Sequence, residues 1–437
     1  MFRSISRAIL TALVFSLIAV PLMAGGAQED DEPDVVEIRF PWWGDSSRHE
    51  VYNEIADRFE EANPDIRVAR EPTSWPDYWD RLTTQVAGGN APDVVSMHQF
   101  YVASYARRGA LRDMWPLVES GHLNLDGIPD SVIGSGELAG ELLMTAKGVT
   151  MTGWSYNTAV FDELGLDYPD FDWTRDDFVE TATAVAEGFR EHGYGDGYFG
   201  ASDGSGDLTP FQYWVRQEGG ELFTEEGQLG FDREMMIGFF EFWEQLREDG
   251  VIPDAETIAE QEGLPPEQSL YAQGRVGIHQ HPFNQITHFE PHLDGGEAHL
   301  LRHPTLPGGE IGEFIEGAYL AISSDSEHPE AAARFISFFT NTEEAAEIFM
   351  TEQGPPPATR MQELVAGLVG PMEARELEGI QRTLAIADGG SPAPFDPPER
   401  PEIQAAFEDA GEAIRFGQLS VEAAVDRFFD EAEMILQ

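Results

Sequence analysis

Cysteine is absent from the sequence, and lysine occurs only once, as Lys147. The absence of cysteine excludes disulfide bonds, a lipid-modified N-terminal cysteine and zinc sites built on thiolates. A chain of 437 residues with 41% hydrophobic content can still bury a large core, so it needs no disulfide to fold. These features fit an exported protein without a lipid anchor.

Basic residues are scarce throughout the chain. Lys and Arg number 26 against 80 Asp and Glu, and the formal net charge is −54. Affinity for nucleic acid or anionic lipid rests on basic side chains, so we expect neither partner. At low ionic strength the acidic side chains repel one another. At molar salt the Debye length falls to about 3 Å, and this repulsion is screened. The composition therefore predicts a halophilic protein whose whole surface is adapted to brine, with an acidic protein from an ordinary habitat as the alternative.

Long apolar runs are missing beyond the N-terminus. The N-terminal run, residues 8–22, is shorter than the roughly 20 residues that a membrane-spanning helix needs. Arg3 and Arg7 precede it and small residues follow it, which is the order of a secretory signal peptide. We predict a cleaved leader at 1–24, an acidic linker at 25–34 and a soluble, exported mature chain, with an uncleaved anchor as the alternative.

Two signatures of catalysis are also missing. The sequence has no Walker loop and no His-Glu-x-x-His pair, and we expect no Gly-x-Ser-x-Gly nucleophile elbow. His279 and His281 share one face of a strand, and His288 and His292 would share one face of a helix, which is the spacing of a zinc site. Scattered histidines explain this pattern better, so we predict no metal and no cofactor. A secreted glycoside hydrolase stays open, because 80 acids supply many accidental carboxylate pairs.

Alternating strand and helix patterns begin after the linker. A strand at 35–40, a loop at 42–46, a helix that stops before Pro64 and a strand at 66–68 form one unit. A similar unit runs from 75 to 111. The patterns predict the α/β class, in which ligands gather beyond the carboxyl ends of the strands.

Three later segments complete the pattern. Residues 154–166 are an aromatic-rich strand and a short helix that turns at Gly165, and Thr174 is placed to cap the next helix. Residues 271–278 lead from a helix through glycine into a strand, and 353–358 read Gln-Gly-Pro-Pro-Pro-Ala. In order and spacing, the chain from residue 35 onwards resembles the extracellular solute-binding proteins of ABC importers, the family 1 that includes maltose-binding proteins.

This resemblance implies a two-lobed periplasmic-binding-protein type II fold, in which three inter-lobe crossings let the lobes close over a solute. The crossings are expected near 147–151, 314–320 and 353–358. Lobe 1 is expected at 35–149 and 321–353. Lobe 2 is expected at 152–314 and 357–437.

The resemblance also implies a function. We expect a periplasmic, monomeric receptor, not an enzyme, that delivers a mono- or oligosaccharide to the permease subunits of an ABC importer. A sugar presents an apolar C–H face and a belt of hydroxyls, so aromatic rings and planar polar groups should line the cleft. The candidate ligand-binding residues are Trp43, Gly44, Asp45, Trp75, Gln99, Trp154, Phe211, Trp214, Phe283, Glu316 and Tyr319.

Two matches to the family carry most of this assignment. Trp43, Gly44 and Asp45 match the family's first ligand loop, and Phe283 matches a stacking aromatic. For each aromatic residue the alternative is burial in a core. For the solute, the alternatives are glycerol phosphate, which would need several arginines or a helix N-terminus, and a polyamine, which would need converging carboxylates.

Overall fold

A computed structural model describes residues 35–261 and 263–437. The predicted leader and linker, 1–24 and 25–34, lie outside the described residues. The strands are β1 (Val36–Trp43), β2 (Ile66–Thr73), β3 (Val94–His98), β4 (Glu137–Leu138), β5 (Glu141–Leu142), β6 (Thr145–Thr150), β7 (Thr152–Asn157), β8 (Phe199–Ala201), β9 (Val276–Pro282), β10 (Ala298–Leu301) and β11 (Glu316–Ile322).

Helices cover more of the chain than strands do. They are α1 (Ser46–Ala62), α2 (Trp75–Ala87), α3 (Gln99–Arg107), α4 (Trp115–Glu119), α5 (Asp130–Gly134), α6 (Thr158–Leu164), α7 (Arg175–Glu191), α8 (Leu208–Gln217), α9 (Arg233–Glu248), α10 (Ala255–Gln261), α11 (Ile286–Phe289), α12 (Pro329–Asn341), α13 (Glu343–Phe349), α14 (Thr359–Ala366), α15 (Pro371–Ala387), α16 (Arg400–Arg415) and α17 (Val421–Ile435). Within the described ranges, none of these helices combines the length and the apolar character needed to cross a membrane.

The strands form two larger sheets. In the first, β11 lies between β3 and β6 and is antiparallel to both. The second has the order β10-β7-β9-β8, with β8 parallel to β9 and the other pairs antiparallel. The parallel pair β1-β2 lies beside β3, and the Arg39 backbone N–H donates to Asp93 at 2.9 Å. The chain passes from the first sheet to the second between Thr150 and Thr152.

Local signals explain where several helices begin and end. Asn157 caps α6, and Gly165 ends it with φ +68°, a left-handed conformation that suits glycine. Thr174 caps α7 in a capping box, in which its hydroxyl accepts from the Asp177 N–H and the Asp177 carboxylate accepts from the Thr174 N–H. The predicted turn at Gly165 and cap at Thr174 are therefore confirmed.

Two apolar cores stabilise the described chain. The first surrounds Phe40 and Phe335, whose ring centroids are 5.0 Å apart, and the second surrounds Trp154 and Phe407. Helices α14 and α15 contribute to the first core, through Met361 and other residues. The sequence-based division assigned this stretch to the second lobe. The first core is shared between the two predicted lobes, because it also contains Phe283 and Leu300, and α15 packs on both: a Cβ atom at Gly379 would lie 3.0 Å from Leu300 and 3.3 Å from Phe283.

The three predicted crossing segments lie side by side. Glu316 pairs with Thr150 in the antiparallel ladder of β11 and β6, and the Val149 N–H donates to the Pro355 carbonyl at 3.0 Å. Gly148 makes this approach possible, since a Cβ atom there would lie 2.2 Å from the carbonyl oxygen of Gln353. Backbone contacts thus join all three segments at one place.

Candidate ligand-binding cleft

A cleft of ≈ 280 Å³ opens beside the three crossing segments. Residues at the ends of the first-sheet strands line one part of it, and residues that follow β9 of the second sheet line another. Four of the predicted ligand-binding residues line this cleft: Trp43, Trp75, Gln99 and Glu316. Because parallel and crossing strands end here, the cleft occupies the place where α/β folds bind ligands.

Two tryptophans form the aromatic part of the cleft. Trp43 ends β1 and Trp75 begins α2, and their ring centroids are 4.8 Å apart in an edge-to-face arrangement. Trp43 is 5% exposed, whereas Trp75 is 37% exposed. The Trp75 ring is therefore accessible to a solute, and the buried Trp43 ring packs against it.

The single lysine of the chain lies behind this pair. Lys147 is buried, its Nζ lies 5.0 Å from the centroid of the Trp43 ring, and it donates to Ser96 Oγ at 3.2 Å. Burial holds the pKa of Lys147 well below its usual value. The amine supports Trp43 from the interior and does not line the cleft.

An ion pair also lines the cleft. Arg48 of α1 donates through Nε to Glu352 Oε1 at 2.8 Å, and each side chain is about a fifth exposed. The neighbouring Gln353 accepts a hydrogen bond from the Tyr52 hydroxyl. These contacts hold the third crossing segment against α1.

Glu316 ties the first sheet to the second. Its carboxylate accepts from the Thr152 backbone N–H at 2.9 Å and from the Thr152 hydroxyl at 3.1 Å. Burial raises the pKa of Glu316 to about 7, although the two hydrogen bonds from Thr152 act in the opposite direction. The group that was predicted to bind ligand therefore also clamps the start of β7.

Amide side chains supply most of the remaining polar surface. Asn284 accepts from the Thr150 hydroxyl at 3.3 Å, which leaves its NH₂ group directed elsewhere. Gln285 makes no side-chain hydrogen bond within the described ranges, and the Oε1 atom of Gln99 is buried without a partner there. Amides can donate and accept, so this lining suits a solute with many hydroxyls.

A second, smaller cavity of ≈ 40 Å³ adjoins the cleft through Gln99, which lines both. Tyr319 lines it but is 1% exposed, and its hydroxyl donates to Ser135 Oγ at 3.3 Å. Phe395, from the proline-rich segment before α16, also lines it. Tyr319 therefore lines this second cavity and not the cleft in which it was predicted to bind ligand.

The rest of the predicted first ligand loop has a structural role. Asp45 caps α1, since its Oδ1 accepts from the Arg48 backbone N–H at 3.0 Å. Gly44 lies over the Arg48 side chain, where a Cβ atom would approach Cδ to 2.6 Å. Neither residue is among those that line the cleft.

Three predicted aromatics belong to the second core. Phe211 is 0% exposed, with its ring 5.2 Å from that of Phe407. Trp154 is 1% exposed, and with Trp214 it lines a narrow pocket among α7, α8 and α9. The Arg175 guanidinium covers Trp214 at 3.4 Å from its ring centroid. These rings present no face to the cleft, so we leave them out of the proposed site.

Phe283 is buried as well. It is 0% exposed and packs into the space that Gly153 leaves, where a Cβ atom would lie 2.2 Å from the phenyl ring. The expectation of a stacking surface at Phe283 is not met in this arrangement, because the ring fills the junction between β7 and β9. Asn284 and Gln285, which follow it directly, line the cleft instead.

An apolar cavity of ≈ 300 Å³ lies beside β9 of the second sheet, lined by Leu264, Leu270 and Phe289 among others. It is slightly larger than the cleft, but its apolar surface suits a polyhydroxylated solute poorly, and none of the crossing segments lines it. His279 also lines it. Burial lowers the pKa of His279 to about 3, so the ring is neutral.

A second histidine of the predicted pattern, His281, is also buried. His281 shares a 2.8 Å hydrogen bond with Ser155 Oγ, and burial lowers its pKa to about 4. Over residues 35–261 and 263–437, no group of three His, Cys, Asp or Glu side chains is placed to hold a metal ion.

Residues 200–204 read Gly-Ala-Ser-Asp-Gly, so the expectation that the chain has no Gly-x-Ser-x-Gly pattern is wrong. In hydrolases this pattern places a serine on a strand-to-helix elbow. Here β8 ends at Ala201, α8 begins only at Leu208, and Ser202 Oγ accepts from the Gln280 backbone N–H at 3.2 Å. Among the described contacts Ser202 has no hydrogen bond to a histidine, so it lacks the base of a nucleophilic site.

Several cleft residues were missed by the sequence-based prediction. Arg48 lies one turn into the helix that Asp45 caps, and Gln353 stands inside a predicted crossing. Asn284 and Gln285 follow a predicted aromatic by one and two positions. Their closeness in the sequence to predicted residues could have identified them. Hydrophobic periodicity could not, because polar residues in loops show none.

Comparisons with known proteins agree with this architecture. The sequence profile described as "Bacterial extracellular solute-binding protein" matches residues 54–368. An extracellular solute-binding protein family 1 structure from Alicyclobacillus acidocaldarius is 25% identical, with a TM-score of 0.79 over 93% of this chain and 100% of that chain. A periplasmic oligogalacturonide-binding protein of Yersinia enterocolitica is 24% identical, with a TM-score of 0.78 over 92% and 99% of the two chains. A binding protein of Brucella abortus is 21% identical over 293 residues, which is 66% of this chain and 67% of that protein.

The fold and the cleft define a two-lobed α/β solute-binding protein of the type II arrangement, with three crossings between its lobes. The chain belongs to the bacterial extracellular solute-binding protein family, because the profile matches more than half of its length. The family consists of binding proteins, and the resemblance to solute-binding protein family 1 is confirmed.

Proposed function

We propose that this protein is an extracytoplasmic receptor that binds a carbohydrate in the cleft beside the crossings and delivers it to the permease subunits of an ABC importer. The observation that carries the proposal is the joint lining of the cleft by an open indole, Trp75, and by amides such as Gln99 and Gln285. An aromatic face and amide groups are what the two sides of a sugar ring require. The similar structure from Yersinia enterocolitica is that of an oligogalacturonide-binding protein, which supports the same class of solute.

Binding by lobe closure follows from the position of the cleft. We propose lobes at 35–149 with 321–353 and at 152–314 with 357–437, hinged at the three crossing segments. Thr150 and Thr152 belong to different sheets but are separated by one residue, so small backbone rotations there can move one sheet relative to the other. A periplasmic monomer, released from its leader after export, is the state in which we expect the receptor to act.

A hydrolytic function has less support. A glycoside hydrolase needs two carboxyl groups that face the scissile bond, one of them able to give a proton and the other free to act as base or nucleophile. Both carboxylates of the cleft are engaged, Glu316 with Thr152 and Glu352 with Arg48. We therefore propose that the protein returns its ligand unchanged.

A fluorescence titration tests the proposal. Trp43 and Trp75 lie in or beside the cleft, so a bound sugar should change the indole emission. The panel should contain neutral mono- and oligosaccharides, glycerol phosphate and spermidine. We expect saturable binding of a carbohydrate, and chromatography after incubation should recover it at its original length. Saturable binding of spermidine or glycerol phosphate alone, or shortened oligosaccharides, would contradict the proposal.

A further inference from the structure

The charges of the cleft are arranged so that few remain available to a ligand. Among the described residues that line it, Arg48 is the one guanidinium and no ammonium group is present. His98 lines it too, but burial lowers the pKa of His98 to about 4, so its ring is neutral at physiological pH. Lys147 is enclosed behind Trp43.

Arg48 is held in place at both ends of its side chain. Its aliphatic part packs under Gly44, where a Cβ atom would approach Cδ to 2.6 Å. Its head group meets Glu352 at 2.8 Å, and the residue after Glu352 is fixed by the hydrogen bond from Tyr52. The Nε edge of the guanidinium that could bind a carboxylate or phosphate of a ligand is thus already paired with a carboxylate.

We propose that Glu352 sets the charge selectivity of the cleft: by pairing with Arg48 it makes the site select uncharged carbohydrates and reject uronates and sugar phosphates. This inference rests on the proposed function. An anionic sugar that enters the cleft meets the carboxylate of Glu352 beside an arginine that this carboxylate already pairs, and it loses water without gaining an unpaired cationic partner. The hydroxyls of a neutral sugar can still donate to Glu352 and accept from Arg48 at their open edges.

The substitution Glu352→Gln tests this selectivity, because it keeps the size of the side chain and releases Arg48. Calorimetry would compare galactotriose with trigalacturonate, in molar sodium chloride, where long-range repulsion from the net charge of −54 is screened. For the wild type we expect the neutral sugar to bind at least tenfold more tightly. In the variant we expect trigalacturonate to gain about tenfold or more in affinity, the scale of a bidentate arginine–carboxylate pair.

Two further variants separate charge selectivity from general damage. Glu347→Gln, on the exposed face of α13, should leave both affinities unchanged. Arg48→Gln combined with Glu352→Gln should lose the gained uronate binding, and melting curves should show that all variants fold. Equal affinity of the wild type for both sugars, or an unchanged affinity ratio in Glu352→Gln, would overturn the inference. If the wild type binds other neutral carbohydrates but neither of these, the same comparison is made with a bound sugar and its uronate; binding of no carbohydrate would overturn the proposed function itself.

Discussion

Burial divides the aromatic side chains of this protein into two groups with different roles. Trp75 keeps 37% of its surface exposed at the cleft, whereas Phe283 and Phe211 have none. A buried ring contributes to stability through the apolar area that it removes from water, and an open ring is free to contact a solute. The two groups should respond differently to truncation.

Truncation of Phe283 should cost stability. Phe283→Ala would empty the space beside Gly153 and Gly379, and large-to-alanine changes of this kind lower the free energy of unfolding by about 3 to 5 kcal/mol. Phe416→Ala, at a site that is 46% exposed, is the matched control and should change stability little. Denaturant unfolding measures both, and a Phe283→Ala variant as stable as the control would show that the ring is not part of the core.

Glu376 should make stability depend on pH. The side chain is 1% exposed in α15, its Oε1 has no hydrogen-bond partner among the described residues, and burial raises its pKa to about 8. Between the unfolded pKa, about 4.3, and the folded value, the native state keeps a proton that the unfolded state has lost. Stability from this group is therefore present at low pH and falls as pH rises through this window, by at most about 1.4 kcal/mol per pH unit.

Glu376→Gln removes that titration. The unfolding free energy of the variant relative to the wild type should rise steadily from pH 5 to pH 8. Glu378→Gln, exposed on the same helix, should keep the wild-type profile. Parallel pH profiles for Glu376→Gln and the wild type would mean that Glu376 titrates normally.

At the scale of elements, the caps and the crossings organise the cleft. The α1 cap orients Arg48, and the Thr152 clamp by Glu316 fixes the junction of the two sheets. The residues of the cap and of the clamp are close together in the sequence or lie at the ends of strands. Gly44 and Asp45 lie next to the cleft without lining it, because they contact Arg48, which does line it.

Asp45 should act as a cap and not through its charge. Asp45→Ala should lower the free energy of unfolding by about 1 kcal/mol, whereas Asp45→Asn should be nearly neutral, since asparagine caps helices as well as aspartate does. Ligand affinity should change little in Asp45→Asn. Thermal melts and calorimetry check both statements, and a large loss of affinity in Asp45→Asn with unchanged stability would restore the predicted ligand role.

Local signals made part of this architecture predictable from the sequence. The turn at Gly165, the cap at Thr174 and the positions of Trp43 and Trp75 at element ends follow from short-range patterns. Which strand residues are buried could not be predicted in this way. All six residues of β7 are buried, so an alternation of apolar and polar residues along that strand carries no information. The Phe283–Gly153 contact joins residues far apart in the chain, which no local pattern reports.

At the scale of the whole molecule, the excess of acid dominates. Exposed ion pairs contribute about 0 to 1 kcal/mol each and weaken with salt, but the chain has 80 acids and only 26 Lys and Arg. Repulsion among the surplus carboxylates acts against the compact state until ions screen it. Screening should therefore stabilise this protein.

The melting temperature should rise as sodium chloride increases from millimolar to molar concentration. Potassium chloride at equal concentration should act alike, since screening depends on ionic strength. An equally concentrated neutral osmolyte is the control and lacks this effect on charge. A melting temperature that stays level or falls with salt would contradict adaptation to brine.

Calorimetry on Trp75→Ala determines whether Trp75 and its neighbours bind a carbohydrate. With a carbohydrate that the wild type binds, we expect the variant to lose about 1 to 3 kcal/mol of binding free energy, or roughly five- to 150-fold in affinity, at nearly unchanged melting temperature. Tyr168→Ala, which removes an aromatic ring that is 47% exposed and does not line the cleft, should bind like the wild type. Equal affinity of Trp75→Ala and the wild type would place the carbohydrate site elsewhere in the molecule.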